Sequence, residues 1–176
     1  MRQRIIAAGA AASACLALAA CQQSAEDADQ QAAEVSAAAG TLAELQALEA
    51  GTIAAIAADD VDAAVAHYAE DVRFIAPGAA PDTGIAAVRA SFERIIADPS
   101  SDLVLAPGAG WVAESGELAV TNSQFYYSFA GADGPEVERG FSQSVWRRED
   151  GGEWKIVAEV NAPLPEASAG AEGATR

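Results

Sequence analysis

The chain has 176 residues, with 26 acidic against 10 basic side chains and a formal net charge of -16. That length suits one packed domain and is short for two. Such acidity repels phosphate backbones and anionic head groups, which argues against nucleic-acid binding and against a membrane contact made by basic side chains. One histidine and two cysteines are too few for a zinc site, so no metal and no cofactor is expected.

Arg2 and Arg4 precede the small-residue apolar run Ile5 to Leu18, which is too short to span a bilayer with any margin and has the architecture of a secretory signal. The tetrapeptide Leu18-Ala19-Ala20-Cys21 that closes it resembles a bacterial lipobox. The resemblance implies removal of residues 1–20 and acylation of Cys21, which would hold the protein on a membrane by acyl chains alone. Gln22 stands where a retention aspartate would keep such a protein at the inner membrane, so the periplasmic face of the outer membrane is the expected address. Cys15 falls in the removed segment, which excludes a disulfide. Residues 21–40, rich in Gln, Ala, Ser, Asp and Glu, are expected to form a flexible tether.

A first helix is expected from about Leu42 to Ala58, with Leu42, Leu45, Leu48, Ile53 and Ile56 on one side. Asp59 or Asp60 can cap a second, which carries Val61, Val65 and Tyr68 and ends near Asp71. Val72, Phe74 and Ile75 make a short strand, Pro77, Gly78, Pro81 and Gly84 turn the chain, and Ile85 to Ile96 repeats the helical period. Strands then follow at Leu103–Leu105, Trp111–Glu114, Leu118–Ala130, Val137–Arg148 and Trp154–Asn161, separated by Gly, Pro and Asp turns. Three helices before an antiparallel meander give an α+β domain over residues 41–165, followed by a disordered tail at 166–176. The glycine-rich pieces Pro107–Gly110 and Gly131–Gly134 do not join a strand to a helix, so they read as turns and not as phosphate loops.

Tyr68-Ala69-Glu70-Asp71-Val72, the turn ending Thr83-Gly84, Val145-Trp146-Arg147-Arg148 and Trp154-Lys155-Ile156-Val157 occur in an order that resembles the nuclear transport factor 2-like superfamily, in its SnoaL-like and ketosteroid-isomerase-like branch. The resemblance implies a cone in which a curved antiparallel sheet wraps the third helix and leaves a pocket, and a homodimer formed through the sheet. It also implies where isomerase chemistry would sit. The base position falls on Ala76, the oxyanion tyrosine near Thr52 and the oxyanion acid near Ser142, while of two supporting tyrosines Tyr68 is kept and the other is Phe92. Alanine cannot take a proton, so that mechanism is largely missing.

Strand alternation leaves two choices for the pocket wall. The more apolar phase, with Phe125, Tyr127 and Phe129, would face inward by the simplest rule. Arg139 and Arg147 resist burial in the matching phase of the next strand, and the resemblance aims Asn122, Gln124, Tyr126, Ser142 and Ser144 inward beside Tyr68 and Phe92. The expectation adopted is this second one, which leaves Phe125, Tyr127, Phe129, Phe141 and Val145 as an outer patch suited to a dimer. Candidate acid or base groups are Glu159, near the pocket mouth with Asn161, and also Asp71 and His67. The expected function is binding of a small, largely apolar ligand. The alternatives are a metal-independent isomerase, dehydratase or hydrolase, and a homodimeric interaction module of the cell envelope.

Overall fold

The structure, a computed structural model, describes residues 12–164, with side chains from Asp29 onwards. Two compact units divide the chain, Met1–Ala39 and Gly40–Arg176. The Cys21 side chain and the tail at 166–176 lie outside the described residues, as does the start of the signal segment. Among the described residues no helix is long and apolar enough to cross a membrane.

Helix α1 runs Ala12–Ala57. It therefore passes through the stretch expected as a tether, whose side chains from Asp29 to Gly40 are exposed almost throughout. Runs of Ala, Gln and Glu favour a helix locally even where they bury nothing. From Gly40 onwards the helix does bury a face. Leu45, Glu49, Thr52 and Ile56 recur at spacings of four and three and are each at most 8% exposed.

The two aspartates after α1 divide the work of ending one helix and starting the next. Asp59 takes a left-handed backbone, φ 58, its amide bonds to the Ile56 carbonyl, and the Asp60 amide reaches back to Ala55 at 2.9 Å. This is a Schellman closure with aspartate in the place usually held by glycine. Asp60 then accepts the Ala63 amide at 3.0 Å and caps α2, Val61–Ala64.

Helix α2 is far shorter than expected. Strand β1 begins at Tyr68 and runs to Ile75, so Asp71 lies in a strand and not at a helix end. Pairing decides this, because β1 lies parallel to β7, Trp154–Pro163, with Tyr68 opposite Ile156 and Phe74 opposite Glu159. Tertiary hydrogen bonding of this kind overrides a local helical period. The sheet is consequently mixed and not a pure antiparallel meander.

Strand β2, Asp82–Thr83, pairs antiparallel with β1 and leads through Gly84, φ 96, into α3, Ile85–Ile96, which buries Val88 and Phe92. The remaining strands are β3 Asp102–Pro107, β4 Trp111–Val112, β5 Leu118–Gly131 and β6 Gly134–Arg148. Neighbours in the sheet run β2-β1-β7-β6-β5-β3, with β4 also on β5. Trp146, Leu45, Val72 and Val88 are fully enclosed and, with Tyr68, Phe92 and Ile156, form the core between α1, α3 and one face of the sheet. The result is an α+β fold with a curved sheet, as the sequence implied.

Candidate functional site

A cavity of about 220 Å³ opens between α1, α3 and the inner face of the sheet. Ile53, Phe74, Phe92, Ile95, Leu105 and Phe125 supply much of its apolar wall. Polar groups punctuate it in the manner of small-molecule sites, where a few hydrogen-bonding atoms orient a mostly apolar occupant.

Which residues face inward is set by the β5–β6 hairpin. Its loop has two residues, Ala132 and Asp133, so each odd-numbered residue of β5 stands opposite an even-numbered one of β6: Thr121 with Ser144, Ser123 with Ser142 and Phe125 with Gly140. Directly opposed side chains share a face. Ser142 and Ser144 therefore line the cavity with Phe125 and Tyr127. Asn122, Gln124 and Tyr126 lie on the other face, away from it. Gln124 and Tyr126 are exposed, and Asn122 is tied to the Ala109 carbonyl and the Gln143 amide. The expected outer patch is corrected by the same parity for Phe125 and Tyr127, which line the cavity, while Phe141 and Val145 do lie on the outer face, opposite Gln124 and Val120.

Glu159 projects from β7 into the cavity wall and is 8% exposed. Its Oε2 accepts the Tyr68 hydroxyl at 2.6 Å, and its Oε1 accepts the Asn161 amide at 2.8 Å. Burial pushes this carboxyl above the ordinary range; the two hydrogen bonds pull it back, and the charge of Glu49 raises it further. Tyr68 is pushed well up by burial and by the neighbouring Glu159. Tyr68 also meets Phe92 edge to face, with ring centroids 5.8 Å apart, so both expected aromatic pocket residues stand side by side.

Glu49 was not among the residues expected from sequence. It is 8% exposed on the buried face of α1. The Thr121 hydroxyl donates to its Oε1 and Ser123 to its Oε2 at 3.4 Å, while the Trp146 indole N–H donates to Thr121 at 2.9 Å. Burial raises this carboxyl also, against the pull of its hydroxyl donors. The signal was present, because a glutamate at the fourth position after Leu45 and the seventh before Ile56 sits inside the apolar stripe.

The other two acid or base candidates are elsewhere. Asp71 is exposed on β1. His67 is half-buried in the turn before that strand, where burial, and then the Lys155 charge, lower its basicity. Neither borders the cavity. All five positions named by the resemblance do border it: Thr52, Tyr68, Ala76, Phe92 and Ser142. The carboxyl that a base would need is absent from Ala76, yet Glu159 supplies one from the adjoining strand, opposite Phe74. Among the described residues no group of His, Cys, Asp or Glu is arranged to hold a metal ion.

The model of the SnoaL-like domain matches residues 50–158, more than half of the chain. No curated protein matches. Among solved structures, a ketosteroid isomerase-like protein from Erwinia carotovora atroseptica superposes with TM-score 0.60 at 16% identity, over 71% of this chain and 97% of that one. A nuclear transport factor 2-like protein with a cystatin-like fold from Novosphingobium aromaticivorans gives 0.57 at 21% identity, over 86% and 91%. A similar protein of unknown function from Shewanella oneidensis gives 0.54 at 16% identity, over 67% and 95%. At these identities the likeness is one of fold. With the family match covering most of the domain, the chain belongs to the SnoaL-like family of the nuclear transport factor 2-like superfamily.

Proposed function

We propose that this domain binds a small, largely apolar molecule in the cavity and does so while anchored by lipid in the cell envelope, facing the periplasm from the outer membrane. The binding reading rests on one observation, an apolar cavity of about 220 Å³ carrying Tyr68, Ser142, Ser144, Glu159 and Asn161 on its wall. Native mass spectrometry of the purified chain tests it. A stoichiometric co-purified small molecule is the expected result, lost when Phe92 or Phe125 is replaced by Asp at retained secondary structure. An empty cavity that also refuses every apolar probe would end the reading. The anchor rests on Leu18 to Cys21; Cys21→Ser should abolish incorporation of labelled palmitate.

A second reading, an acid–base enzyme of the isomerase, dehydratase or hydrolase kind, is favoured by Glu159. A buried carboxyl with a raised proton affinity, oriented by Tyr68 and Asn161 at the edge of an apolar cavity, has the properties of a general base. With Asp71 and His67 outside the cavity, Glu159 is the one of the three acid or base groups expected from sequence that borders it. Exchange of α-hydrogens of cyclohexanone in deuterium oxide should be accelerated by the chain and abolished in Glu159→Gln. Exchange unchanged in that variant would exclude Glu159 as the base.

A further inference from the structure

Two buried acids line this cavity with no ion-pair partner among the described residues. Glu49 and Glu159 come from different elements, α1 and β7, and both line it. Among the described residues their hydrogen-bond donors are neutral, among them Thr121 and Ser123 to Glu49, and Tyr68 and Asn161 to Glu159. Neither belongs to any ion pair among the described residues. Glu138 on β6 also borders the cavity, and its Oε1 is enclosed with no donor in reach. Among the described residues Arg94 is the one basic side chain on the lining, and its guanidinium donates to its own helix, to the Ala90 carbonyl at 3.2 Å and the Ser91 hydroxyl at 3.4 Å.

Ionised carboxyls out of water are costly unless a cation meets them. Packing against the carbon skeleton of a ligand is available from Phe92 and Phe125, and among the described residues no cation pairs with Glu49 or Glu159. We propose that the natural occupant is a small protonated amine, its ammonium group set between Glu159 and Glu49 and its apolar body against Phe92 and Phe125. This rests on the reading of the cavity as a ligand site and narrows it to one chemical class. An ammonium offers three donors, and each carboxylate oxygen already bonded once retains capacity for a second. A carboxylate ligand set between Glu49 and Glu159 would meet repulsion from both.

The test uses the full, unaltered chain and three probes of one shape and different charge: benzylamine, benzyl alcohol and benzoate, titrated at pH 8 and followed by amide shifts of Ser142 and Ser144. Benzylamine is expected to bind about tenfold more tightly than benzyl alcohol, in line with a charge-assisted hydrogen bond replacing a neutral one, and benzoate is expected not to bind. Glu159→Gln should remove most of the amine's advantage over benzyl alcohol when both are titrated into the same variant. An alcohol or benzoate that binds as tightly as the amine overturns the amine class and leaves the cavity reading standing. No binding by any of the three overturns both. An amine preference that survives Glu159→Gln overturns the placement of the ammonium group.

Discussion

At the scale of single residues, the site depends on hydroxyl and amide groups that hold buried acids. Tyr68→Phe would leave the Glu159 Oε2 without its donor while preserving the edge contact with Phe92. It should cost about 1–3 kcal/mol in denaturant unfolding, the penalty for an orphaned buried acceptor. Burial holds both Glu49 and Glu159 above the ordinary carboxyl range. Between about pH 4.3 and those raised values the folded chain binds more protons than the unfolded one. The associated stability is therefore complete below about pH 4.3 and is lost as pH rises through the folded values. Gln at position 159 never ionises, so thermal melts from about pH 4 to 8 should show the Tm difference moving in favour of Glu159→Gln as pH rises.

At the scale of elements, junctions carry the clearest expectations. Asp60→Ala removes the cap of α2 and should cost about 1 kcal/mol by urea melt. The β5–β6 hairpin has a further constraint at Gly140, opposite Phe125. The Phe125 ring lies over the glycine, in the space that a Cβ at position 140 would take. Gly140→Ala should accordingly destabilise by about 1–3 kcal/mol through overpacking, and Phe125→Leu in the same chain should recover part of that loss. If the alanine variant melts with the parent, both the ring and the Ala162 carbonyl, which lies 2.6 Å from the same Cβ position, give way without cost.

At the scale of the whole molecule, the outer sheet face carries Tyr126, Phe141 and Val160, which are 39%, 39% and 40% exposed on neighbouring strands. We propose this face, and not the aromatic phase through Phe125, as the contact of a homodimer. Sedimentation of the full chain should give a concentration-dependent dimer that Phe141→Glu converts to monomer without lowering the melting temperature by more than a few degrees. A parent chain that stays monomeric at every concentration would refute the dimer.

What the sequence determined by itself is what depends on neighbours along the chain. The helical period of Ile85 to Ile96, the turn glycines and the strand limits from Leu103 to Asn161 are local, and the structure places elements there with shifts of a few residues. The family likeness, too, was carried by short segments. The cavity face was decided by pairing across a hairpin, where one step of register exchanges every side chain between the two faces. A two-residue loop was readable near Asp133-Gly134, and it alone would have placed Ser142 and Ser144 beside Phe125 and not beside Gln124. The loss of most of the second helix came from a parallel partner, β7, more than eighty residues downstream of Tyr68, beyond the reach of any local pattern. The sharing of one cavity by Glu49 and Glu159 is likewise tertiary, because only the packing of α1 on the sheet sets on one lining two acids that the chain keeps over a hundred residues apart.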